Sequence, residues 1–236
     1  MKKIFSIAVL AASVAASPAL AANNVTGTTT ATFVDAKPTT GTSTGTGTNH
    51  LTWGVAADGG KVNEMTFAAN TPFSATVGQQ FKIGSISYYN GTINNGTELT
   101  SIGLNLAFNF SDPAIGAFTK SFILGLNSTP NTGTADENAD YITFPSLQTA
   151  DTFTVNGQAY TFKLLGLTNV VGDGFLNSGA NEFHVREGGN ASADVFGVLN
   201  VAAVPEPATW AMMLVGFGMV GASARYRRRS TKAVIA

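Results

Sequence analysis

A glycine-rich hexapeptide near the C-terminus is the first stretch whose spacing could hold a cofactor. Residues 216–221 read GFGMVG, the G-x-G-x-x-G pattern with which dinucleotide-binding enzymes hold a pyrophosphate. Such a site also needs a preceding strand, a complete βαβ unit and an acidic residue about 20 positions further on. Only 15 residues follow Gly221, and none of them is acidic. The spacing therefore predicts no dinucleotide site, and no cofactor is expected.

The two histidines of the chain are the next candidates for chemistry. His50 and His184 are too far apart in sequence for a zinc motif such as H-E-x-x-H. In EFHVR, residues 182–186, strand alternation places Glu182, His184 and Arg186 on one face, which is either a solvated surface or a polar ligand-binding stripe. The G-x-S-x-G pattern occurs at residues 41–45, GTSTG, but it lies in the Thr/Gly-rich segment 39–48 and not between a predicted strand and a predicted helix, so no nucleophile elbow is predicted. Paired carboxylates for glycoside hydrolysis remain open, because their geometry depends on separation across the fold.

The acidic segment DENAD, residues 136–140, offers carboxylates at Asp136, Glu137 and Asp140. Calcium is a hard cation that prefers such oxygen ligands. The segment lacks the twelve-residue frame of an EF-hand loop. A solvated turn is the favoured interpretation, and a calcium site is the alternative.

Adjacent tyrosines, Tyr88 and Tyr89, offer rings that could stack on a sugar. They lie in the predicted strand FKIGSISYY, residues 81–89, in which alternation turns one ring inward and the other outward. The outward tyrosine, with Asn90 and Asn94 in the following turn, is the candidate glycan contact.

The parity of this strand does not decide between the two tyrosines. Phe81 and Ile83 set one inward parity, whereas Ile86 sets the other. The strand is therefore predicted to bulge near Gly84 and Ser85.

An uncharged segment near the C-terminus, residues 208–224, predicts a membrane helix. Its 17 residues would form a helix about 25 Å long, close to the roughly 30 Å of a hydrocarbon core. The positive-inside rule keeps a following arginine cluster in the cytoplasm together with a short tail, residues 230–236. The cluster comprises Arg225, Arg227, Arg228 and Arg229. Glycines within the segment either allow a second helix to approach or are simply common in membrane helices.

Residues 205–229 carry three features in a fixed order: Pro205-Glu206-Pro207, the apolar segment opening with Trp210-Ala211, and the arginine cluster. This tail resembles the PEP-CTERM sorting signal in its PEP-x-x-W-A variant, although the chain continues beyond the arginines with STKAVIA. The resemblance implies that exosortase, a membrane-embedded transpeptidase-like enzyme, recognises the Pro-Glu-Pro motif and cuts near it. The protein would be anchored transiently in the inner membrane and then reach the cell surface or medium. The tail is also called the ice-binding protein C-terminal domain, a name that is not in itself a sign of ice binding.

The N-terminus has the features of a secretory signal peptide, residues 1–21. Two lysines precede an apolar run, residues 4–16, and the small-residue exit Ala19-Leu20-Ala21 predicts cleavage after Ala21. The secretion machinery is therefore an expected partner. A retained N-terminal anchor is the alternative.

The body between these signals, residues 22–204, has 6 basic and 13 acidic residues and a net charge of −7. Such a charge argues against nucleic acid or an anionic membrane surface as a partner. The chain has no cysteine, so neither disulfides nor thiolate chemistry are available.

The body is predicted to be all-β. No useful helical periodicity appears between residues 23 and 200, whereas SIGLNLAFNF, residues 101–110, alternates strictly between apolar and small or polar residues. Asn156-Gly157 suits a two-residue hairpin loop. Further strands are expected in TATFV, NEMTF, FKIGSISYY, KSFILGL, DYITF, EFHVR and DVFGVLNV. Together they favour an antiparallel two-sheet β-sandwich, jelly-roll-like, in one domain. The Thr/Gly-rich segment 39–48 is interpreted as a loop within it, with a flexible linker as the alternative.

Two parts of the body carry a second resemblance. TNHLTWG, residues 48–54, and the stretch from VGQQFKIG to LNLAF, residues 77–108, are similar to the choice-of-anchor K domain, an extracellular β domain found with various anchoring tails. That family implies a surface location but supplies neither a reaction nor a ligand.

Together these features predict a non-enzymatic protein of the cell surface or matrix, with a structural or adhesive role linked to exopolysaccharide or biofilm. The alternative is a secreted glycan-active hydrolase. Facing carboxylates about 5 to 9.5 Å apart in an aromatic-lined groove would favour the enzyme. A flat face or a shallow aromatic patch would favour binding.

Overall fold

The computed structural model describes residues 24–38, 43–57, 59–112, 116–144, 150–155, 158–177, 181–201 and 207–230. The predicted signal peptide, with its cleavage residues Ala19 and Ala21, lies outside the described residues. So do Pro205 and Glu206 of the sorting motif, and the turn residues Asn156 and Gly157.

The described body consists of strands. In chain order they are β1 (Asn24–Lys37), β2 (Ser43–Thr44), β3 (His50–Trp53), β4 (Asn63–Ala69), β5 (Phe73–Thr76), β6 (Gln80–Tyr89), β7 (Ser101–Asp112), β8 (Gly116–Asn127), β9 (Asp140–Thr143), β10 (Ala150–Val155), β11 (Gln158–Gly172), β12 (Gly174–Asn177), β13 (Glu182–Val185) and β14 (Asn190–Val201). Each predicted strand segment lies in one of them, except that Phe144 of DYITF and Arg186 of EFHVR lie one residue beyond β9 and β13. The short strands β2, β3, β5 and β12 were not predicted.

The strands form two seven-stranded antiparallel sheets, which confirms the predicted all-β sandwich. Sheet A has the order β12-β13-β9-β8-β7-β1-β5, and sheet B has the order β10-β11-β14-β6-β4-β3-β2. Strand β1 lies inside sheet A, between β5 and β7. The N-terminal strand therefore pairs with segments about 50 and 80 residues later in the chain.

The alternating apolar residues of β7 are buried, as the sequence predicts. Ile102, Leu104, Leu106, Phe108 and Phe110 are all buried against the second sheet. The residues between them lie on the outer face of sheet A. The predicted hairpin is also present, because Val155 of β10 faces Gln158 of β11 with two residues between them.

The predicted bulge in β6 lies at Ile83 and Gly84. Val195 of β14 pairs with Gly84 and Phe196 pairs with Lys82, which leaves Ile83 as the extra residue. A Cβ at Gly84 would lie 2.5 Å from the Ala68 carbonyl oxygen, so no larger residue fits. The bulge switches the inward parity from Phe81 and Ile83 to Ile86.

Aromatic rings join the two sheets at the centre of the core. The ring centroids of Phe108 in sheet A and Phe162 in sheet B are 4.9 Å apart, and those of Phe118 in sheet A and Phe153 in sheet B are 4.7 Å apart. Burying each such ring contributes about 1.5–3 kcal/mol. Lys120 of β8, the central strand of sheet A, forms an ion pair with Asp151 of β10, an edge strand of sheet B. This packing holds the outer faces of both sheets in place.

A helix, α1 (Pro207–Ser230), follows the body and contains the segment 208–224. Across the described residues, no helix combines the length and the apolar character needed to cross a membrane. The helix is thus present where it was predicted, but its transmembrane character is not borne out. Glycines 216, 218 and 221 interrupt its apolar residues, and arginines occupy its last turns.

Candidate functional site

The two adjacent tyrosines point to opposite sides of sheet B. Tyr88 is buried, only 3% exposed, and stacks on Trp53 with ring centroids 5.5 Å apart. Tyr89 is half-buried and lies on the outer face of sheet B. The bulge at Ile83 and Gly84 decides this, because it sets the parity of every residue after it.

Tyr89 forms part of a shallow open groove of about 330 Å³, here named the Tyr89 groove. Cross-strand pairing places Glu64 of β4 and Asn190 of β14 directly beside Tyr89 of β6. The groove is lined by Lys61, Glu64, Thr66, Ser87, Tyr89 and Asn190. Three strands that are distant in sequence therefore bring one ring together with several hydrogen-bonding side chains.

Charged groups flank the ring. The Lys61 ammonium nitrogen lies 5.5 Å from the centroid of the Tyr89 ring. On the neighbouring strand, His50 Nε2 lies 2.9 Å from Glu64 Oε1. Because both partners of that pair are about half exposed, the pair contributes little to stability and its groups are accessible to a ligand.

The expectation that Asn90 lies beside the outward tyrosine is wrong. Its side chain is fully buried, and its amide nitrogen donates a hydrogen bond to the Val185 carbonyl oxygen at 3.0 Å. The residue ties the end of β6 to β13 in the other sheet. Its role is therefore structural.

A second concave site, here named the end cleft, has a volume of about 740 Å³. Three carboxylates, from Glu98, Asp140 and Glu187, line it together with Tyr141 and the backbone around Thr129. Sequence reasoning did not identify this cleft. A signal did exist, because in DYITF the inward parity of Ile142 and Phe144 also places Asp140 on the core side.

Asp140 is the buried acid of the end cleft, with 4% of its surface exposed. Burial raises the pKa of its carboxyl to about 6, and the nearby Glu187 adds to the increase. Hydrogen bonds from Thr129, including one of 2.8 Å from its backbone N–H to Oδ1, oppose that increase. The Tyr88 hydroxyl lies 3.5 Å from Oδ2, so Asp140 contacts residues of both sheets.

The pKa of Tyr88 is shifted by the same surroundings. Burial raises the pKa of its hydroxyl well above the usual value, and the charges of Asp140 and Glu187 add to this. Its hydroxyl therefore stays protonated at neutral pH and can donate to Asp140 or to Asn63 Oδ1, each 3.5 Å away.

The three acidic residues of DENAD have separate surroundings. Asp136 forms an ion pair with Arg186 at 2.6 Å, and Glu137 accepts hydrogen bonds from the backbone and side chain of Thr134. Those bonds hold the pKa of Glu137 below its ordinary value. Asp140 points into the end cleft. Within the part of the chain that the structure describes, no three acidic, histidine or cysteine side chains converge to hold a metal.

His184 lies within an aromatic stack on the outer face of sheet A. Its ring is parallel to those of Tyr141 and Phe175, with centroid distances of 4.5 and 4.8 Å. Its Nε2 lies 3.2 Å from Glu182 Oε2. The neighbouring rings cover the faces of the imidazole, which leaves its edge as the accessible part.

The residues of the sorting tail are placed only in part. Pro207 begins α1, Trp210 and Ala211 follow in its first turns, and Arg225 is exposed near its end. The side chains of Trp210, Ala211, Arg227, Arg228 and Arg229 lie outside the described set.

Comparison with known families identifies this tail. Residues 203–229 match the PEP-CTERM protein-sorting motif, which spans the predicted segment 205–229. The motif implies that the chain is exported and processed by an exosortase. No curated protein matches the chain.

Proposed function

We propose that the body is a non-enzymatic surface domain that contacts extracellular polysaccharide through the Tyr89 groove. The observation that carries the proposal is the single half-buried ring in an open, shallow groove lined by hydrogen-bonding side chains. An aromatic face packs against the apolar face of a sugar, while polar neighbours exchange hydrogen bonds with its hydroxyls.

A binding experiment with the host exopolysaccharide tests this proposal. The full chain is passed over immobilised polysaccharide, and we expect the Tyr89→Ala variant to lose about tenfold in affinity, since stacking of this kind contributes roughly 1 kcal/mol or more. Phe175→Ala removes a half-buried aromatic ring outside both the groove and the end cleft and serves as the matched control. Equal retention of folded Tyr89→Ala and wild-type protein would remove the groove as the contact.

The location of the mature protein is a further part of the proposal. After processing, we infer that the body stays at the cell surface or in the matrix. Intact-mass measurement of the protein from a host with exosortase is expected to show a C-terminus near residues 204–207. Surface protein that retains Arg229 would contradict processing at the Pro-Glu-Pro motif.

The body is further proposed to be a choice-of-anchor K domain, on the strength of the motifs in residues 48–54 and 77–108. These residues include β3, β6 and β7, which belong to both sheets. A member of that family with a different strand order around these motifs would end this assignment.

A glycan hydrolase is the second candidate, and the end cleft favours it. A carboxyl whose pKa is about 6 is partly protonated near neutrality and can act as a general acid, while a second carboxylate such as Glu187 acts as base or nucleophile. Asp140→Asn would then abolish release of reducing ends from the polysaccharide, with Asp151→Asn as a control acid outside the cleft. Absence of such release with wild-type protein would eliminate this candidate.

A further inference from the structure

Between Gly27 and Val34 of β1, the described outward residues of four neighbouring strands of sheet A form a surface without charged side chains. Strands β5, β1, β7 and β8 are neighbours, and their outward residues are short and polar or small. This surface, here named the neutral face, comprises Ser74, Thr76, Thr26, Thr28, Thr30, Thr32, Asn105, Ala107, Asn109, Ser111, Ala117, Thr119, Ser121 and Ile123.

Pairing arranges these residues in rows across the sheet. Thr30 of β1 faces Ala107 of β7, which faces Thr119 of β8. The adjacent rows are Thr28-Asn109-Ala117 and Thr32-Asn105-Ser121. No irregularity interrupts β1 and β7 between Gly27 and Val34, so the rows follow one another at about 6.8 Å and neighbouring strands lie about 4.8 Å apart.

The body has 19 charged residues among 183, and those in the four strands of this surface lie away from its centre. Lys120 of β8 points to the opposite side and pairs with Asp151. Asp35 and Lys37 lie beyond the face, where the pairing of β1 becomes irregular after Val34. Asp112 of β7 pairs with Thr26 at the margin, beyond the irregularity between Thr26 and Gly27, so the charged residues of these strands lie at the margins of the face or on its opposite side.

The neutral face is accessible. Thr28, Thr30, Asn109, Thr119 and Ser121 are all exposed, and no described part of the chain covers them. Within the described residues, side-chain hydrogen bonds occur at the margin, between Thr26 and Ser111 and from Thr76 to Asn24. The hydroxyl and amide groups at the centre of the face are available to a ligand.

This chemistry fits an uncharged polymer with many hydroxyl groups. Threonine hydroxyls and asparagine amides both donate and accept hydrogen bonds, as sugar hydroxyls do. β-branched threonines have restricted rotamers, so little side-chain entropy is lost when a ligand orders them. With no charge on the face, docking requires no desolvation of an ion. The net charge of −7 on the body works against an anionic polymer.

We propose that the neutral face docks on a neutral polysaccharide. The surface is separate from the Tyr89 groove, which lies on the outer side of the opposite sheet, so the inference does not depend on that groove. Because no ion pairs form, binding is insensitive to salt.

Sedimentation with microcrystalline cellulose, an uncharged and hydroxyl-rich solid, provides the test. We expect the full wild-type chain to bind equally at 50 and 500 mM NaCl. The double variant Thr30→Glu/Thr119→Glu places carboxylates in the central row and is expected to bind at least about tenfold more weakly, because an unpaired charge must be desolvated.

Three matched variants sharpen this test. Thr152→Glu adds a charge at an exposed threonine of β10 in sheet B and should bind as wild type. Thr30→Ser/Thr119→Ser keeps the hydroxyls and should retain binding. Tyr89→Ala separates the two surfaces: a loss of cellulose binding in this variant, together with unchanged binding of Thr30→Glu/Thr119→Glu, would assign cellulose binding to the groove instead.

Two results would overturn the proposal. One is the absence of wild-type binding to cellulose at either salt concentration. The other is equal binding of wild-type protein and the folded Thr30→Glu/Thr119→Glu variant, with folding checked by thermal unfolding.

Discussion

The neutral face of sheet A and the outer face of sheet B differ in charge although they cover the same core. On sheet A, the four-strand neutral face has only Thr, Ser, Asn, Ala and one Ile. On sheet B, Lys82, Lys163, Asp194 and Glu64 lie on outward positions, and the Tyr89 groove lies among them. Inward residues therefore determine how the sheets pack, while outward residues are free to give each face a different chemistry.

The charged face also contains a side-chain network that the neutral face lacks. Asp194 accepts hydrogen bonds from Ser85 at 2.8 Å and Asn169 at 3.0 Å, and it pairs with Lys82 at 2.6 Å. Burial alone would raise the pKa of Asp194, but these partners outweigh it and hold the pKa below its usual range. Sheet B is therefore tied together by side chains on its surface, whereas the centre of the neutral face has its polar groups available.

The largest loss of stability is expected for a substitution in the core that both faces share. Phe108 is fully buried and contacts Phe162 of the opposite sheet, so Phe108→Ala should lower the free energy of unfolding by about 3–5 kcal/mol. Asn109→Ala, at the next position but on the neutral face, should change it by less than about 0.5 kcal/mol. Denaturant titration measures both, and similar losses would mean that β7 does not separate a core side from a surface side.

A smaller change in stability, which depends on pH, is expected from the titration of Asp140 between the sheets. Its pKa rises from 3.8 to about 6 on folding, so the folded state binds the proton more tightly and stability falls as pH rises from about 4 to 6. The decrease amounts to about 3 kcal/mol.

Asp140→Asn should remove that part of the pH dependence and leave the variant more stable than wild type at pH 7. Unfolding titrations across pH 4–7 give the difference directly. A difference between the two proteins that stays constant across this range would show that Asp140 does not titrate as described.

The smallest loss of stability is expected when the side-chain network around Asp194 on the charged face is disrupted. Its contribution to stability increases with pH, whereas that of Asp140 decreases. Asp194 has a lowered pKa, so its contribution is present above the ordinary carboxyl pKa and is lost as pH falls through the folded value. Asp194→Ala should cost about 1 kcal/mol at pH 7 and less at pH 3. Asn105→Ala on the neutral face is the control and should have no such pH dependence. A cost for Asp194→Ala that grows on acidification would contradict the assignment.

Several features of the fold follow from local patterns that the sequence contains. Alternation in residues 101–110 predicted the burial of β7, and the conflict between Ile83 and Ile86 predicted the bulge. The order of features in the tail predicted the sorting motif now matched at residues 203–229. These succeed because side-chain parity and motif spacing depend on neighbours within a few residues.

Other features were missed for identifiable reasons. Strands such as β5 and β12 have four residues each, too few for alternation to show. The membrane character predicted for residues 208–224 depended on length and lack of charge, and the glycines of the segment dilute its apolar side chains. Asp140 was interpreted with its neighbours in DENAD, although its surroundings are set by the strand that follows it.

The sequence alone determined that the body is built of alternating strands, that either Tyr88 or Tyr89 points outward, and that the tail is a sorting signal. Only the tertiary structure decided which tyrosine is buried, because the exact position of the bulge comes from the pairing of β6 with β14 and from the space at Gly84. The end cleft and the neutral face were likewise decided by strand order. The rows of the neutral face join β1 to strands about 80 and 90 residues away, and alternation specifies the face of a residue but not the identity of its neighbouring strand.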